Sequence, residues 1–329
     1  MSLLISIVAV VVLFVIALAG AGAGLQMLFG VVFPYVAIAL FLGGLVWKVM
    51  SWANIPVPFR IPTTCGQETS LPWIKQAKLD NPSSTAGVIG RMALEVLFFR
   101  SLTRNTRSEL SSDGRLSYGA SLLLWLGAII FHYSMLVIVV RHFRFFFESV
   151  PGYITLVQDL DGFLQIGAPV FYITSFLFIG AVGYLLVRRL TNPQVHYISL
   201  ANDYFPLLLL LGIGLSGFWL RYIDKTDVVG VKELAMGLVS FSPALPNTVA
   251  PLFYGHLFLV CVLLAYFPFS KLAHMAGVFL SPTRNLANTN RMAFHKNPWD
   301  YPVKVHTYEE YEDEFREKMK GAGVPVEKE

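Results

Sequence analysis

Apolar residues in this chain gather into long unbroken runs, not into the alternations or three-and-four spacings of a soluble domain. Six runs, at approximately 3–20, 26–50, 118–143, 164–187, 205–222 and 252–276, are each roughly 17–25 residues long. That is enough to cross about 30 Å of hydrocarbon as α-helix. The pattern predicts an all-α integral membrane protein with six transmembrane helices. Gly20, Gly22 and Gly24 mark a turn between the first two runs, and Pro282 follows the last. The first run lacks a basic leading segment and a second run follows at once, so it reads as a first transmembrane helix, with a cleaved signal peptide as the other reading. The expected organisation is an extra helix at 1–25, a bundle at 26–280 built on the last five spans and including a cytoplasmic loop at 51–117, and a tail at 281–329.

The polar stretches have features of their own. IPVPFRIP reads as extended chain. Ser84 is placed to cap a helix through GVIGRMALEVLFFRSL, where Arg91, Glu95 and Arg100 interrupt the apolar positions. Such a helix suits the membrane surface, support of a cytoplasmic partner, or a plain connector. YEEYEDEFREKMKG predicts a charged helix in the tail. It is either a solvated tail or a docking segment for a soluble subunit, the latter favoured by Trp299, Tyr301 and Tyr308. Lysine and arginine concentrate in loop 51–117, at Arg188–Arg189 and in the tail (Arg284, Arg291, Lys296). Glu148, Asp159, Asp161, Asp224, Asp227 and Glu233 lie in the opposite loops. The positive-inside rule then puts both termini in the cytoplasm of a multi-pass plasma (inner) membrane protein.

Composition strengthens this picture. Hydrophobic residues make up 55% and charged residues 14%, against about 25% charged in an ordinary soluble domain. The net charge of +4 comes from the loops and carries no signature of nucleic-acid binding. Cys65 lies in a polar loop and Cys261 in a span, so no disulfide is expected. Two cysteines fall short of the roughly four ligands of an iron–sulfur cluster, so any such cluster belongs to a partner.

The candidate chemistry lies in four histidines within the apolar runs. His132 and His142 are ten residues apart in SLLLWLGAIIFHYSMLVIVVRHF, and His256 and His274 are eighteen apart in PLFYGHLFLVCVLLAYFPFSKLAH. A titratable group in lipid is a functional candidate by default. Eighteen residues make five helical turns, so His256 and His274 share a face about 27 Å apart along the axis. His132 and His142 are then about 80° apart in projection and ~15 Å apart. Spans three and six run antiparallel, so depth pairs His132 with His274 and His142 with His256. Two facing imidazoles with no carboxylate nearby suit the axial positions of a haem iron, with the two irons roughly 20 Å apart. Arg141, Arg144, Arg188, Arg189 and Lys271, near span ends, are candidates for haem propionates or for interfacial anchors. His196, His295 and His306 lie in polar segments and are set aside. The other readings of the four histidines are a proton-relay transporter or channel, and a plain anchor. A zinc hydrolase lacks its H-E-x-x-H motif.

These residues resemble the gamma-subunit family of respiratory nitrate reductase, a membrane di-haem cytochrome b. The resemblance rests on the ten- and eighteen-residue spacings, on FH…RHF, on LLVRRLTNPQV and on GHLFLVCVLLAYFPFSKLAH, and it covers about residues 26–280. It implies a five-helix bundle binding two haem b, with His132, His142, His256 and His274 as axial ligands. The extra first span with PTTCGQ, SLPWIK and RMALEVLFFRSL is similar to the DsrM branch, the cytochrome b subunits of DsrMKJOP complexes in dissimilatory sulfur metabolism, including sulfate reduction. That branch implies a cytoplasmic DsrK-like iron–sulfur partner, the other subunits of the complex, menaquinone or menaquinol as redox substrate and a downstream link to DsrC. One departure stands out. The nitrate reductase members carry a lysine after the first histidine pair, at the outer quinone site, where this chain has QDLDGFLQIGAP. Asp161 and Gln165 are the candidates there, with Asp161 as proton acceptor.

Overall fold

A computed structural model describes residues 1–55, 75, 77–104, 106–162, 169–285, 287 and 304–328. IPVPFRIP beyond Ile55, Cys65, Gln165, His295, Trp299 and Tyr301 lie outside the described residues. The elements run α1 (Ser2–Gly22), a π-turn at Leu28–Val32 leading into α2 (Phe33–Ala53), α3 (Thr85–Phe98), β1 (Arg107–Leu110), β2 (Leu116–Gly119) and α4 (Leu122–His142). Then come α5 (Gly152–Asp161), α6 (Ile173–Thr191), α7 (Pro193–Tyr197), α8 (Ala201–Tyr222), α9 (Val228–Val239), α10 (Pro251–Tyr266), α11 (His274–Leu280), α12 (Pro282–Asn285) and α13 (Tyr308–Gly321). Among the described residues, six helical segments are long and apolar enough to cross a membrane: Ser2–Gly22, Leu28–Ala53, Leu122–Phe146, Ile173–Thr191, Ala201–Tyr222 and Pro251–Phe269. The fold is that of an all-α multi-pass membrane protein. Among the described residues its strands are one antiparallel hairpin, with Leu110 opposite Leu116.

The chain forms two compact units, Met1–Lys48 with Met92–Val278, and Val49–Arg91 with Phe279–Glu329. In the first, α4 packs on α6, α6 on α8, α8 on α10, and α1 on both α8 and α10. One core cluster joins Val10, Phe178, Val182, Leu209, Leu210, Leu259 and Leu263, and a second joins Ala17, Ala21, Phe29, Val231, Leu234, Val249 and Tyr254. The first span therefore contributes to both clusters. Its small residues Ala17 and Ala21 let backbones approach, as small residues do between membrane helices. Gly255 serves the same end, since a Cβ there would lie 2.8 Å from the Phe14 ring. The outward side chains Leu4, Val8, Val11 and Val15 are exposed, as a lipid-facing surface requires.

In the second unit, the Arg91 guanidinium donates through Nε (3.1 Å) and Nη2 (2.6 Å) to the carbonyl of Arg284. Ser84 Oγ accepts from Gly87 N at 3.2 Å, the cap expected for α3. The charged tail helix is α13, opened by a Thr307–Glu310 capping box. Glu312 is buried and accepts the N–H groups of Glu327 (2.7 Å) and Lys328 (2.9 Å). Those two donors hold its carboxyl below the ordinary glutamate range.

Three expectations need correction. The last span is not one helix: α10 ends at Tyr266, and two short 3-10 turns separated by an extended Ser270 (φ −122°, ψ 178°) precede α11. Pro268 has no N–H to continue the ladder, and Ser270 caps the new turn by accepting from Leu272 N at 3.2 Å. The five-turn argument placing His256 and His274 on one helical face therefore fails. The fourth span begins at Ile173, not near 164. The connections read as plain loops carry packed helices, α5 with Ile154 fully buried and α9 with Val231 and Leu234 buried.

Candidate functional site

The bundle places the four histidines in two groups. His132 stands on α4 with its Nδ1 2.7 Å from the Ala128 carbonyl. His274 opens α11 with its Nδ1 2.8 Å from the Lys271 carbonyl. A carbonyl only accepts, so both rings donate through Nδ1, and a neutral ring held this way presents the lone pair of Nε2. Their centroids are 6.0 Å apart and their planes nearly perpendicular, at 84°. Two metal–imidazole bonds of about 2 Å, with the half-widths of two five-membered rings, span about 6 Å. His132 and His274, expected from depth to face each other, are neighbours at this end, although the continuous-helix geometry behind that expectation is absent.

The second group is His142, at the end of α4, and His256, in the second turn of α10. His142 Nδ1 donates to the Ile138 carbonyl at 2.7 Å. His256 Nδ1 lies 2.9 Å from Ser216 Oγ, and that hydroxyl donates to the Gly212 carbonyl at 2.7 Å. With its proton committed, Ser216 accepts from His256, which again leaves Nε2 free. Next to it, Gly217 leaves room for the ring, since a Cβ there would come within 3.1 Å of His256 Cε1. Fixing a ligand's far nitrogen through a carbonyl or hydroxyl is the usual support for a metal-binding imidazole. Among the described residues no three of His, Cys, Asp and Glu gather as a metal cluster. Each pair therefore offers two nitrogen donors, the set a haem iron takes from a protein when the porphyrin supplies the other four. The residues fit haem.

The charged residues are arranged differently from expectation. The fifth span starts at Ala201, not near 205, and so takes in the buried Asp203. Asp203 accepts from Lys271 Nζ at 2.5 Å and from Leu200 N at 3.0 Å, with Arg189 Nη1 at 3.9 Å. Arg189 also donates to Ser199 Oγ at 2.8 Å. Beside His142, Arg141 Nε lies 2.9 Å from Asp161 Oδ2, with both side chains buried. Asp161 also accepts from Thr174 N (2.8 Å) and Thr174 Oγ1 (2.7 Å). The carboxylate thereby ties α4, α5 and the start of α6 together. The guanidiniums of Arg141, 3.8 Å from the centroid, and of Arg221, at 4.2 Å, both lie over the Tyr172 ring. Three of the five basic residues read as propionate candidates, Arg141, Arg189 and Lys271, are thus engaged by carboxylates of the chain. Arg144 sits in the turn Phe143–Phe146 and Arg188 in the last turn of α6.

Sequence reasoning missed Ser216, Asp203, Tyr172 and Arg221. Each acts across helices, and its only local trace was a polar residue inside or beside an apolar run. At the His142 end, Phe143, Phe146, Phe147, Tyr153 and Val239 line an apolar hollow of about 350 Å³.

Known proteins resemble this chain in sequence. The family model described as nitrate reductase gamma subunit matches residues 87–290. The Hdr-like menaquinol oxidoreductase cytochrome b-like subunit of Archaeoglobus fulgidus is 43% identical over 280 residues, covering 83% of each chain. Its counterpart in Archaeoglobus profundus is 40% identical over 274 residues, covering 81% of each. The respiratory nitrate reductase 2 gamma chain of Escherichia coli K12 is 33% identical over 105 residues, 30% of this chain and 46% of that one. The family match takes in both histidines of α4, the whole of α6 and α8, and the segment from α10 to His274, and on that ground the chain belongs to the nitrate reductase gamma subunit family.

Proposed function

We propose that this chain is a membrane cytochrome b that carries electrons between a menaquinone or menaquinol and a cytoplasmic iron–sulfur protein. Its family, and relatives described as menaquinol oxidoreductase subunits, support the quinol-linked part. The observation that carries the reading is the His132–His274 pair, 6.0 Å apart with both Nε2 lone pairs free. Haem b bound at each pair would supply a reversible one-electron carrier. His132 and His274 would hold one and His142 and His256 the other, with Ala128, Lys271, Ile138 and Ser216 fixing the rings from behind. Arg144 and Arg188 are the remaining candidates for propionates.

Loop charge favours both termini in the cytoplasm of the plasma membrane. The His132–His274 end then faces the cytoplasm and the His142–His256 end the outer side. The hollow lined by Phe143, Phe146, Phe147, Tyr153 and Val239 offers apolar, aromatic walls suited to a quinone, at the outer end and beside His142. Asp161 is poorly placed to take a quinol proton, because Thr174 and Arg141 already occupy both oxygens. Its role is to hold α5, which carries Tyr153, against α4 and α6. The PTTCGQ, SLPWIK and RMALEVLFFRSL segments favour a DsrK-like partner within a DsrMKJOP-type complex of dissimilatory sulfur metabolism.

The test uses membranes holding the full chain. A menaquinol analogue should develop a reduced b-type absorbance in wild type, and Phe146→Asp in the hollow should slow it without lowering haem content. A wild-type protein that carries haem yet is not reduced by quinol would overturn the quinol-linked reading.

A further inference from the structure

Phe99 follows the last residue of α3 in the left-handed region, at φ 49° and ψ 47°. Helices often end on such a residue, but it is usually glycine, because a Cβ is crowded there. A bulky aromatic held in this region is an outlier that persists only when its surroundings over-determine it. Here they do. Two side chains of α4 grip the carbonyls just before it: Trp125 Nε1 donates to Phe98 O at 2.8 Å, and the Tyr133 hydroxyl donates to Leu97 O at 2.9 Å. From the other side Leu102 N donates to Phe99 O at 2.9 Å, and Glu95 accepts from Ser101 N at 3.0 Å and from the Ser101 hydroxyl. The strained backbone delivers the Phe99 ring edge-on to His132, centroid to centroid 4.8 Å, while Phe131 meets the same imidazole at 4.7 Å. With Nδ1 anchored on Ala128, the His132 plane is fixed by two rings and one hydrogen bond, nearly perpendicular to His274.

We propose that Phe99 is a positioning residue for the His132–His274 pair, holding the His132 ring perpendicular to its partner. This rests on reading that pair as haem ligands. The angle has a physical consequence. In a bis-imidazole haem, parallel imidazole planes would split the two iron d orbitals of π symmetry toward the imidazoles (dxz and dyz), and the ferric low-spin resonance would be rhombic. When the planes are perpendicular the splitting nearly vanishes and the resonance becomes strongly anisotropic, with a large highest g-value. Phe99 thereby sets an electronic property of the site without touching the iron, through ligand orientation.

The experiment is electron paramagnetic resonance of the oxidised full-length protein, with haem content measured in parallel. The signal of the His132–His274 site is identified as the one lost in His274→Ala. Phe99→Gly removes the ring and also relieves the left-handed strain, so the fold is kept. It should retain two haems per chain and lower the highest g-value of that signal alone. Should Phe99→Gly lose that haem, Phe99→Leu fills the space without a flat edge, and the same fall is expected from it. A haem-replete variant whose signal superimposes on the wild-type one overturns the role of Phe99 and leaves the haem reading standing. A wild-type protein with no low-spin ferric signal overturns the haem reading itself.

Discussion

The two ends of the bundle pose the same problem and solve it in different surroundings. Each sets a histidine pair beside a buried carboxylate that engages a basic residue. At the His142 end Arg141 and Asp161 keep only 8% and 2% of their side-chain surface exposed. At the His132 end Asp203 is equally hidden, at 6%, but its partner Lys271 is 72% exposed. Distance alone would rank the second contact stronger, since Lys271 lies 2.5 Å from Asp203 and Arg141 lies 2.9 Å from Asp161. Burial reverses the ranking. A buried pair broken on one side leaves an uncompensated charge in low dielectric, whereas an exposed ammonium keeps most of its hydration. The Arg141–Asp161 pair is therefore structural, joining three elements. The Lys271–Asp203 contact is a rim interaction beside the residue that opens α11.

Substitutions break this comparison in a graded way. The largest effect is expected from the histidines: His132→Ala or His274→Ala should lose one haem and leave the other, read as haem per polypeptide. Retention of both would sink the pairing. Next comes Asp161→Asn, which strands Arg141 and should cost about 3–5 kcal/mol of stability. Thermal unfolding in detergent measures this, and Arg141→Met together with Asp161→Leu should recover much of the loss. Ser216→Ala removes the acceptor behind His256 and should weaken haem retention at that pair by about 10–100-fold, seen in competition with a haem-scavenging apoprotein. The smallest effect belongs to Lys271→Met, below about 1 kcal/mol. A loss there as large as that of Asp161→Asn would contradict the assignment of the two ends to different surroundings.

Much of this arrangement was legible in the sequence, for identifiable reasons. Six apolar runs, the Ser84 cap, the tail helix and the two histidine spacings are local patterns, and local patterns survive without tertiary knowledge. The break at Pro268 was visible in principle, as Pro and Ser inside an apolar run, but the run's hydrophobicity masked it. Asp161 with Arg141, Asp203 with Lys271 and Ser216 with His256 join residues 20, 68 and 40 positions apart, and no periodicity records such partners. The left-handed Phe99 was hidden for the opposite reason: a phenylalanine in an apolar stretch signals packing, and only its backbone angle sets it apart. The extra helix at 1–25 was set apart from the bundle, yet α1 supplies Val10 and Ala17 to its core clusters.

The central claim is that two histidine pairs each hold a haem b. The most direct test is a dithionite-reduced minus oxidised spectrum of the purified chain, with a pyridine haemochrome assay for stoichiometry. A b-type spectrum with about two haems per polypeptide, one for each bis-histidine pair, is the predicted result. A well-folded preparation without haem would contradict the account.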